Sequence, residues 1–245
     1  MRAPVTEIFS SVQGEGLFLG CRQIFIRFYG CNLNCSYCDT VFAVQPVNCR
    51  IETGPGKGFF ILKENPVELC DVISATANLK LPEHHSVSLT GGEPLLHSNF
   101  IKLLIPFLSG TRSGIYLETN GTLPGELEGI IDLVDIIAMD IKLPSVTGQP
   151  AFWKLHRRFL KTACKRNVFV KIVAGNNTSK EEIDNTADII SSVDANIPLV
   201  IQPVTKNGKV GNVTPEKLIE LQSFAQKRLF DVRIIPQTHK ILGLL

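Results

Sequence analysis

Three of the seven cysteines in this 245-residue chain fall within eight positions, as Cys31-Asn32-Leu33-Asn34-Cys35-Ser36-Tyr37-Cys38. Thiolates this close can converge on one metal centre, and two kinds of centre fit. A tetrahedral zinc site wants four nitrogen or sulfur ligands, so Cys21, Cys49 or a remote histidine would have to be the fourth. No second C-x₂-C is present to supply it. A cubane iron–sulfur cluster needs four ligands for its four irons, so three cysteines leave one iron open. An open iron can bind a substrate or cofactor, which points to chemistry rather than electron storage. Cys21, Cys49, Cys70 and Cys164 are scattered, and each alone reads as a small buried hydrophobe.

Other chemistry-bearing residues gather at the ends of apolar runs. Thr90 leads into Gly91-Gly92-Glu93-Pro94. The third run ends in Glu118-Thr119-Asn120-Gly121, the fourth in Asp140-Ile141-Lys142, and the sixth in Gln202-Pro203; Lys171 lies inside the fifth. Arg27 sits inside the first run, where a buried charge is costly without a purpose. Its planar fork suits a carboxylate taken bidentately. The plain alternative is a structural ion pair with Glu7. Of the histidines, His84 and His85 read as a solvated loop, His97 as structural, and His156 as part of a solvated basic helix face with Arg157, Arg158, Lys161, Lys165 and Arg166.

The elements that position these residues alternate. Residues 23–28 (QIFIRF), 86–90 (SVSLT), 115–119 (IYLET), 134–141 (VDIIAMDI), 168–173 (VFVKIV), 199–202 (LVIQ) and 231–235 (DVRII) read as strands buried on both faces, as in a parallel sheet. Helical patterns lie between them: one opening at Asn65-Pro66 with Glu68 in its first turn, then 99–108, 125–133 and 152–164. A fifth opens on a capping box at Ser179, and a sixth at Thr214-Pro215-Glu216. Repeated strand–helix–strand order predicts right-handed units. The fold class is therefore α/β, a partial (β/α) barrel of six to seven parallel strands. Residues 39–64, with Gly54-Pro55-Gly56-Lys57-Gly58 at their centre, predict a β-hairpin inserted after the cysteine loop. The chain, 1–245, reads as a single domain. In such a sheet, function belongs at the strand C-termini, where the polar residues are. The segment 7–16 reads as a polar, glycine-bearing lead-in loop.

Composition excludes several classes. The formal net charge is only +2 and charged residues make up 20% of the chain, so nothing suggests a nucleic-acid-binding face. No apolar run reaches 18 residues, so no membrane helix is expected. The N-terminus lacks the apolar stretch of a signal peptide, and the expected compartment is the cytoplasm, where thiols stay reduced.

The C-x₃-C-x₂-C loop with Tyr37 before its last cysteine, followed one strand later by Gly91-Gly92-Glu93-Pro94, resembles the radical S-adenosylmethionine superfamily. The blocks EIFSSVQGEG (7–16), FIRFYGCNLNCSYCDT (25–40) and RIIPQTHK (233–240) resemble, in order, the 7-carboxy-7-deazaguanine synthases. The resemblance implies a [4Fe–4S] cluster on Cys31, Cys35 and Cys38, with S-adenosylmethionine on the fourth iron. It implies that Ser36, Tyr37, Cys38, Asp39, Gly91, Gly92, Glu93, Asp140, Ile141, Lys142, Gln202 and Thr205 surround that cofactor. It also implies Mg²⁺ held by Thr40. The implied substrate is 6-carboxy-5,6,7,8-tetrahydropterin, met by Val12, Gln13, Gly14, Glu15, Arg27, Thr90, His239 and the carboxylate of Leu245. The implied reaction, a lyase step of queuosine and deazapurine biosynthesis, abstracts the C6 hydrogen, contracts the ring and releases ammonia. A flavodoxin or ferredoxin donor and a homodimer are implied as well. A glycyl-radical-enzyme activase is the rival within the superfamily, since Asp140-Ile141-Lys142 resembles the activases' D-x-K strand; a zinc-binding module is the rival outside it.

Overall fold

Strands buried on both faces belong inside a sheet, and six of the seven predicted strands have a neighbour on either side, while the last forms one edge. A computed structural model describes residues 1–38, 44–205 and 213–243; the expected ligands Asp39, Thr40 and Leu245 lie outside them. In chain order come β1 (Arg2–Ala3), β2 (Val5–Val12), β3 (Arg22–Phe28), β4 (Asn48–Glu52), β5 (Phe60–Glu64), β6 (Val67–Glu68), α1 (Leu69–Asn78), β7 (Ser86–Gly91), α2 (Ser98–Leu104), β8 (Ile115–Thr119) and α3 (Pro124–Glu128). Then follow β9 (Ile136–Asp140), α4 (Pro144–Thr147), α5 (Trp153–Ala163), β10 (Asn167–Ala174), α6 (Lys180–Ser191), β11 (Leu199–Pro203), α7 (Pro215–Ala225), β12 (Val232–Ile234) and α8 (Thr238–Leu242). The main sheet has the order β12-β11-β10-β9-β8-β7-β3-β2-β4-β5. From β3 to β12 every pairing is parallel, which makes an open (β/α) barrel of seven strands.

Alternation divides the sheet chemically, because successive side chains point to opposite faces. Ile24, Ile26, Val87, Leu89, Leu117, Ile137, Met139, Val170, Ile172 and Ile201 join the large apolar core with the helices. The residues between them point inward. There Tyr116, Ile136, Ala138, Phe169 and Val200 form a small second cluster, closed by Leu17 and Phe18 from the loop after β2. Arg27, Thr90, Glu118, Asp140, Lys171 and Gln202 complete the inward rows at the strand C-termini, where they line one cleft.

The structure corrects five readings. The lead-in is a strand, β2, antiparallel to β3. Its polar residues hide the pattern because distant partners satisfy them: Glu7 meets Arg27, and Ser10 meets His84 and the Glu52 carboxylate. The predicted hairpin exists, pairing Glu52 with Phe60, but β4 also pairs with β2, so the hairpin is the edge of the main sheet. The first helix begins at Leu69 rather than at Pro66, because the Asn65 side chain is bonded to both backbone groups of Val5 and cannot cap. Pro106 ends α2 in a 3₁₀ turn, Ile105–Phe107. Cys70 and Cys164 are exposed rather than buried, whereas Cys49 is buried and Cys21 partly so.

Gly91 is the tightest backbone contact at the cleft rim. Its φ is +130°, and a Cβ there would lie 2.1 Å from the carbonyl oxygen of Phe28 on the neighbouring strand. No side chain can move to relieve that clash. Gly91→Ala is expected to cost about 3 kcal/mol, combining strain and overpacking. Urea unfolding followed by circular dichroism measures it; an unchanged midpoint would show that β3 and β7 separate there without cost.

Candidate active site

The cleft is built where β3, β7, β8, β9, β10 and β11 end. It encloses about 1250 Å³ including its open mouth. Cys31, Leu33, Cys35, Tyr37 and Cys38 of the loop after β3 line one side, and Gly91 and Gly92 line the turn after β7. Among the described residues no three His, Cys, Asp or Glu side chains come together as a single metal ion requires. Three thiols on one loop facing the cleft can each ligate one iron of a cluster and leave the fourth iron open. Burial raises the thiols of Cys31 and Cys35, the latter to about 11. Metal binding must therefore bring the charge-stabilising partner that thiolates need.

Opposite the cysteines lies a chain of alternating charges. Lys142 donates to Asp140 at 2.9 Å and to the Tyr37 hydroxyl at 3.1 Å, which ties β9 to the cysteine loop. Lys171 lies 3.3 Å from the same Asp140 carboxylate, its direct neighbour in the sheet register, and pairs with Glu15. Glu15 also accepts from Gln237 at 2.5 Å. Burial on its own would raise Glu15, but the charge of Lys171 and the Gln237 bond bring it down to about 2. Burial on its own would lower Lys142 and Lys171; the acids beside them hold both above the ordinary range.

The other wall is set by Arg27 and Glu118. Arg27 donates its Nε to Glu7 at 2.8 Å, so the plain ion-pair reading holds, yet the residue also lines the cleft. Register puts Arg27 beside Thr90, whose hydroxyl donates to Glu118 at 2.7 Å. The chemistry available is therefore a cationic fork beside a carboxylate–hydroxyl pair, across from an acid held between two lysines.

A bound S-adenosylmethionine offers donors: an ammonium, ribose hydroxyls and an adenine amine. The cleft holds matching acceptors, since Asp140 Oδ1 and Gln202 Oε1 are buried with no hydrogen-bond partner among the described residues. Both residues line the cleft beside the three thiols, so the donor set fits a cluster with that cofactor.

Some expected site residues stand elsewhere. Glu93 turns beneath the cleft, where Leu95 N, Asn120 N and the Thr119 hydroxyl all donate to it; burial pushes it up to about 7 in spite of these donors. Ile141 points into the apolar core. The Ser36 hydroxyl is spent on the Val146 carbonyl at 2.7 Å. Gln13 gives its amide to Gln23 and Glu118 and accepts from Glu15 N, so it holds the loop rather than lining the cleft. Val12 ends β2 behind that loop. Gly14 accepts from Thr238 N at 2.9 Å, and His239 packs against it outside the cleft wall, whereas Lys240 and Gln237 from the same segment do line it. Thr205 lines the cleft and donates to Gln237.

Tyr116 and Phe169, unmarked in the sequence, line the floor. Each stands two residues before a cleft residue on its strand, so alternation alone identifies them. His84 and His156 are both fully buried, against expectation: His84 pairs with Ser10 at 2.7 Å, and His156 with the Asn120 carbonyl at 3.1 Å. His97 is structural as expected, bonded to Tyr29 O and stacked on Phe28. On α5, Arg157 and Arg158 pair with Asp188 and Glu128, and Arg166 in the turn after it pairs with Asp132.

The Radical SAM superfamily profile matches residues 25–190. A 7-carboxy-7-deazaguanine synthase of Geobacter sulfurreducens is 46% identical over 244 residues, which cover 98% of this chain and 97% of that protein. A synthase of the same name from Methanothermobacter thermautotrophicus is 37% identical over 263 residues, covering 100% and 98%. Among solved structures, QueE from Escherichia coli has the same fold with a TM-score of 0.61 at 20% identity, covering 98% of this chain and 95% of that one.

Lys171→Met leaves Glu15 and Asp140 without their shared cation. We expect a loss of about 2 kcal/mol, below the cost for a fully buried pair because both partners are partly exposed. A carboxylate lowered from 4.5 to about 2 stabilises the fold above pH 4.5, and that contribution is lost as pH falls through 2. The stability gap between wild type and variant should be full above pH 4.5 and narrow toward pH 2. Urea unfolding across that range measures it; a gap independent of pH would show that Lys171 acts by packing alone.

Proposed function

This chain belongs to the radical S-adenosylmethionine superfamily and, within it, to the 7-carboxy-7-deazaguanine synthases, and on that premise we propose how its cleft serves the reaction. The enzyme converts 6-carboxy-5,6,7,8-tetrahydropterin to 7-carboxy-7-deazaguanine with loss of ammonia. Its cofactors are a [4Fe–4S] cluster and S-adenosylmethionine, which when bound supply the one-electron chemistry that removes a substrate hydrogen. The observation that carries the residue roles is that the cysteine loop and the Arg27–Thr90–Glu118 wall face one cleft.

Cys31, Cys35 and Cys38 hold the cluster. Gly91, Gly92, Asp140, Lys142, Gln202 and Thr205 hold the cofactor beside it, with the unpartnered oxygens of Asp140 and Gln202 taking its donors. Arg27, held at Nε by Glu7, offers its two terminal nitrogens to the substrate carboxylate. Thr90 and Glu118 take the donor edge of the ring, and Glu15 and Gln237 close the far side. These groups fix one substrate C–H against the cofactor and keep solvent from it. Thr40 is the proposed magnesium ligand.

One apolar core running from Ala3 to Val232 supports a single domain, with the β4–β5 hairpin at its edge. We propose a homodimer: Phe59, Ile61 and Leu62 are exposed on and beside β5, one of the sheet's two edge strands among the described residues. A flavodoxin or ferredoxin is the proposed donor, and seven cysteines without a disulfide support the reducing cytoplasm as the compartment.

Anaerobically reconstituted protein with dithionite, S-adenosylmethionine, Mg²⁺ and the carboxypterin should form 7-carboxy-7-deazaguanine, detected by mass. Release of 5′-deoxyadenosine without that product would overturn the substrate reading and leave the superfamily standing. Arg27→Ala should lower kcat/KM by at least about 100-fold, the scale of a lost charge-assisted pair, while iron and sulfide content stay unchanged.

A further inference from the structure

Asn120 spends every polar group it has. It is 5% exposed, at the C-terminal end of β8. Its backbone N–H donates to Glu93 at 2.8 Å, and its carbonyl accepts from His156 Nε2 at 3.1 Å. Its side-chain oxygen accepts from the backbone N–H of Thr122 at 3.0 Å and from the Thr122 hydroxyl at 2.6 Å. A backbone N–H can only donate, so the oxygen of the amide is fixed on that side and its NH₂ on the other.

That NH₂ faces the cysteine loop. One hydrogen goes to the Asn32 side-chain oxygen at 2.9 Å, and the other is directed at Cys31 Sγ, 3.9 Å from the nitrogen. Asn32 in turn donates to the Thr122 hydroxyl at 2.8 Å. Asn120, Asn32 and Thr122 therefore close a ring of three hydrogen bonds, which holds the donor still. Gly121 permits the turn: a Cβ there would come within 2.8 Å of Met139 and 3.2 Å of His156. Cys31 Sγ also receives the Leu33 backbone N–H at 3.4 Å.

We propose that Asn120 is a positioning residue for the iron–sulfur cluster, holding an N–H on the Cys31 thiolate and thereby raising the cluster's reduction potential. Reduction adds negative charge to the cluster and its sulfurs. A donor fixed on a ligating sulfur stabilises the reduced form more than the oxidised one, and hydrogen bonds to sulfur are among the protein's levers on such potentials. Because the donor is held by its own ring, no reorganisation is needed when the electron arrives. This inference rests on Cys31 being a cluster ligand.

The test is an EPR-monitored redox titration of the reconstituted enzyme, with iron and sulfide counted separately. Asn120→Leu keeps the size of the side chain and removes the donor; Asn120→Asp keeps its shape and also adds charge. Both should shift the midpoint to more negative potential at unchanged iron and sulfide, Asp more than Leu. Thr122→Val frees the amide without touching Cys31 and should give a smaller shift of the same sign. Full cluster content at the wild-type potential in all three variants overturns the proposal. Loss of the cluster from all three also overturns it, since Asn120 would then serve folding of the loop alone. Wild-type protein without iron or sulfide would instead sink the cluster reading itself.

Discussion

Asp140 lies between two lysines, and through them four other segments of the chain are tied to its strand. Lys142 carries the interaction to Tyr37 in the cysteine loop, while Lys171 carries it to Glu15 after β2 and from there to Gln237 near the C-terminus. Buried charges of this kind seldom add net stability, because desolvation offsets the attraction. Their value is geometric. Each charge is costly without its neighbour, so the four segments have one low-energy arrangement, and that arrangement shapes the cleft.

The sheet around the charges divides labour by a period of two. Outward rows are aliphatic and bind the helices; inward rows are polar at the C-terminal rim and aromatic below it. The same strand thus contributes Met139 to stability and Asp140 to the site. This is why the strands were legible from sequence: residues 86–90 and 136–140 are buried on both sides, and their apolar density shows it. It is also why the rim residues could be read, since any polar side chain at the end of such a run needs a reason. The cysteine loop stood out by its spacing, while the choice between zinc and a cluster needed the Gly91-Gly92-Glu93-Pro94 segment one strand later.

What escaped the sequence depends on partners far away in it. The strand β2 looks like a loop until Arg27 and His84 are brought to its Glu7 and Ser10 side chains and Glu52 to the Ser10 backbone N–H, 20, 74 and 42 residues distant. His156 sits in a basic stretch that reads as solvated, but the helix turns that one side chain inward onto the Asn120 carbonyl. Glu93 reads as a ligand by motif, while its three donors come partly from β8 and the residue after it. Local pattern carries the periodicity of burial; it does not carry which buried polar atom meets which.

Aromatic packing below the rim completes the design. Phe18 reaches Tyr116 at 5.8 Å and Phe169 at 6.3 Å between ring centres, and Tyr116 reaches Phe169 at 6.4 Å. Phe18 comes from the same loop that Glu15 anchors to Lys171, so the ion pair also seats the plug that closes the barrel floor. Above this apolar floor the local dielectric falls, which strengthens the pairing of Lys171 with Glu15 and Asp140 and of Arg27 with Glu7. A chain of net charge +2 thus sets several of its cations inside one cleft, each held by an acid over an apolar floor.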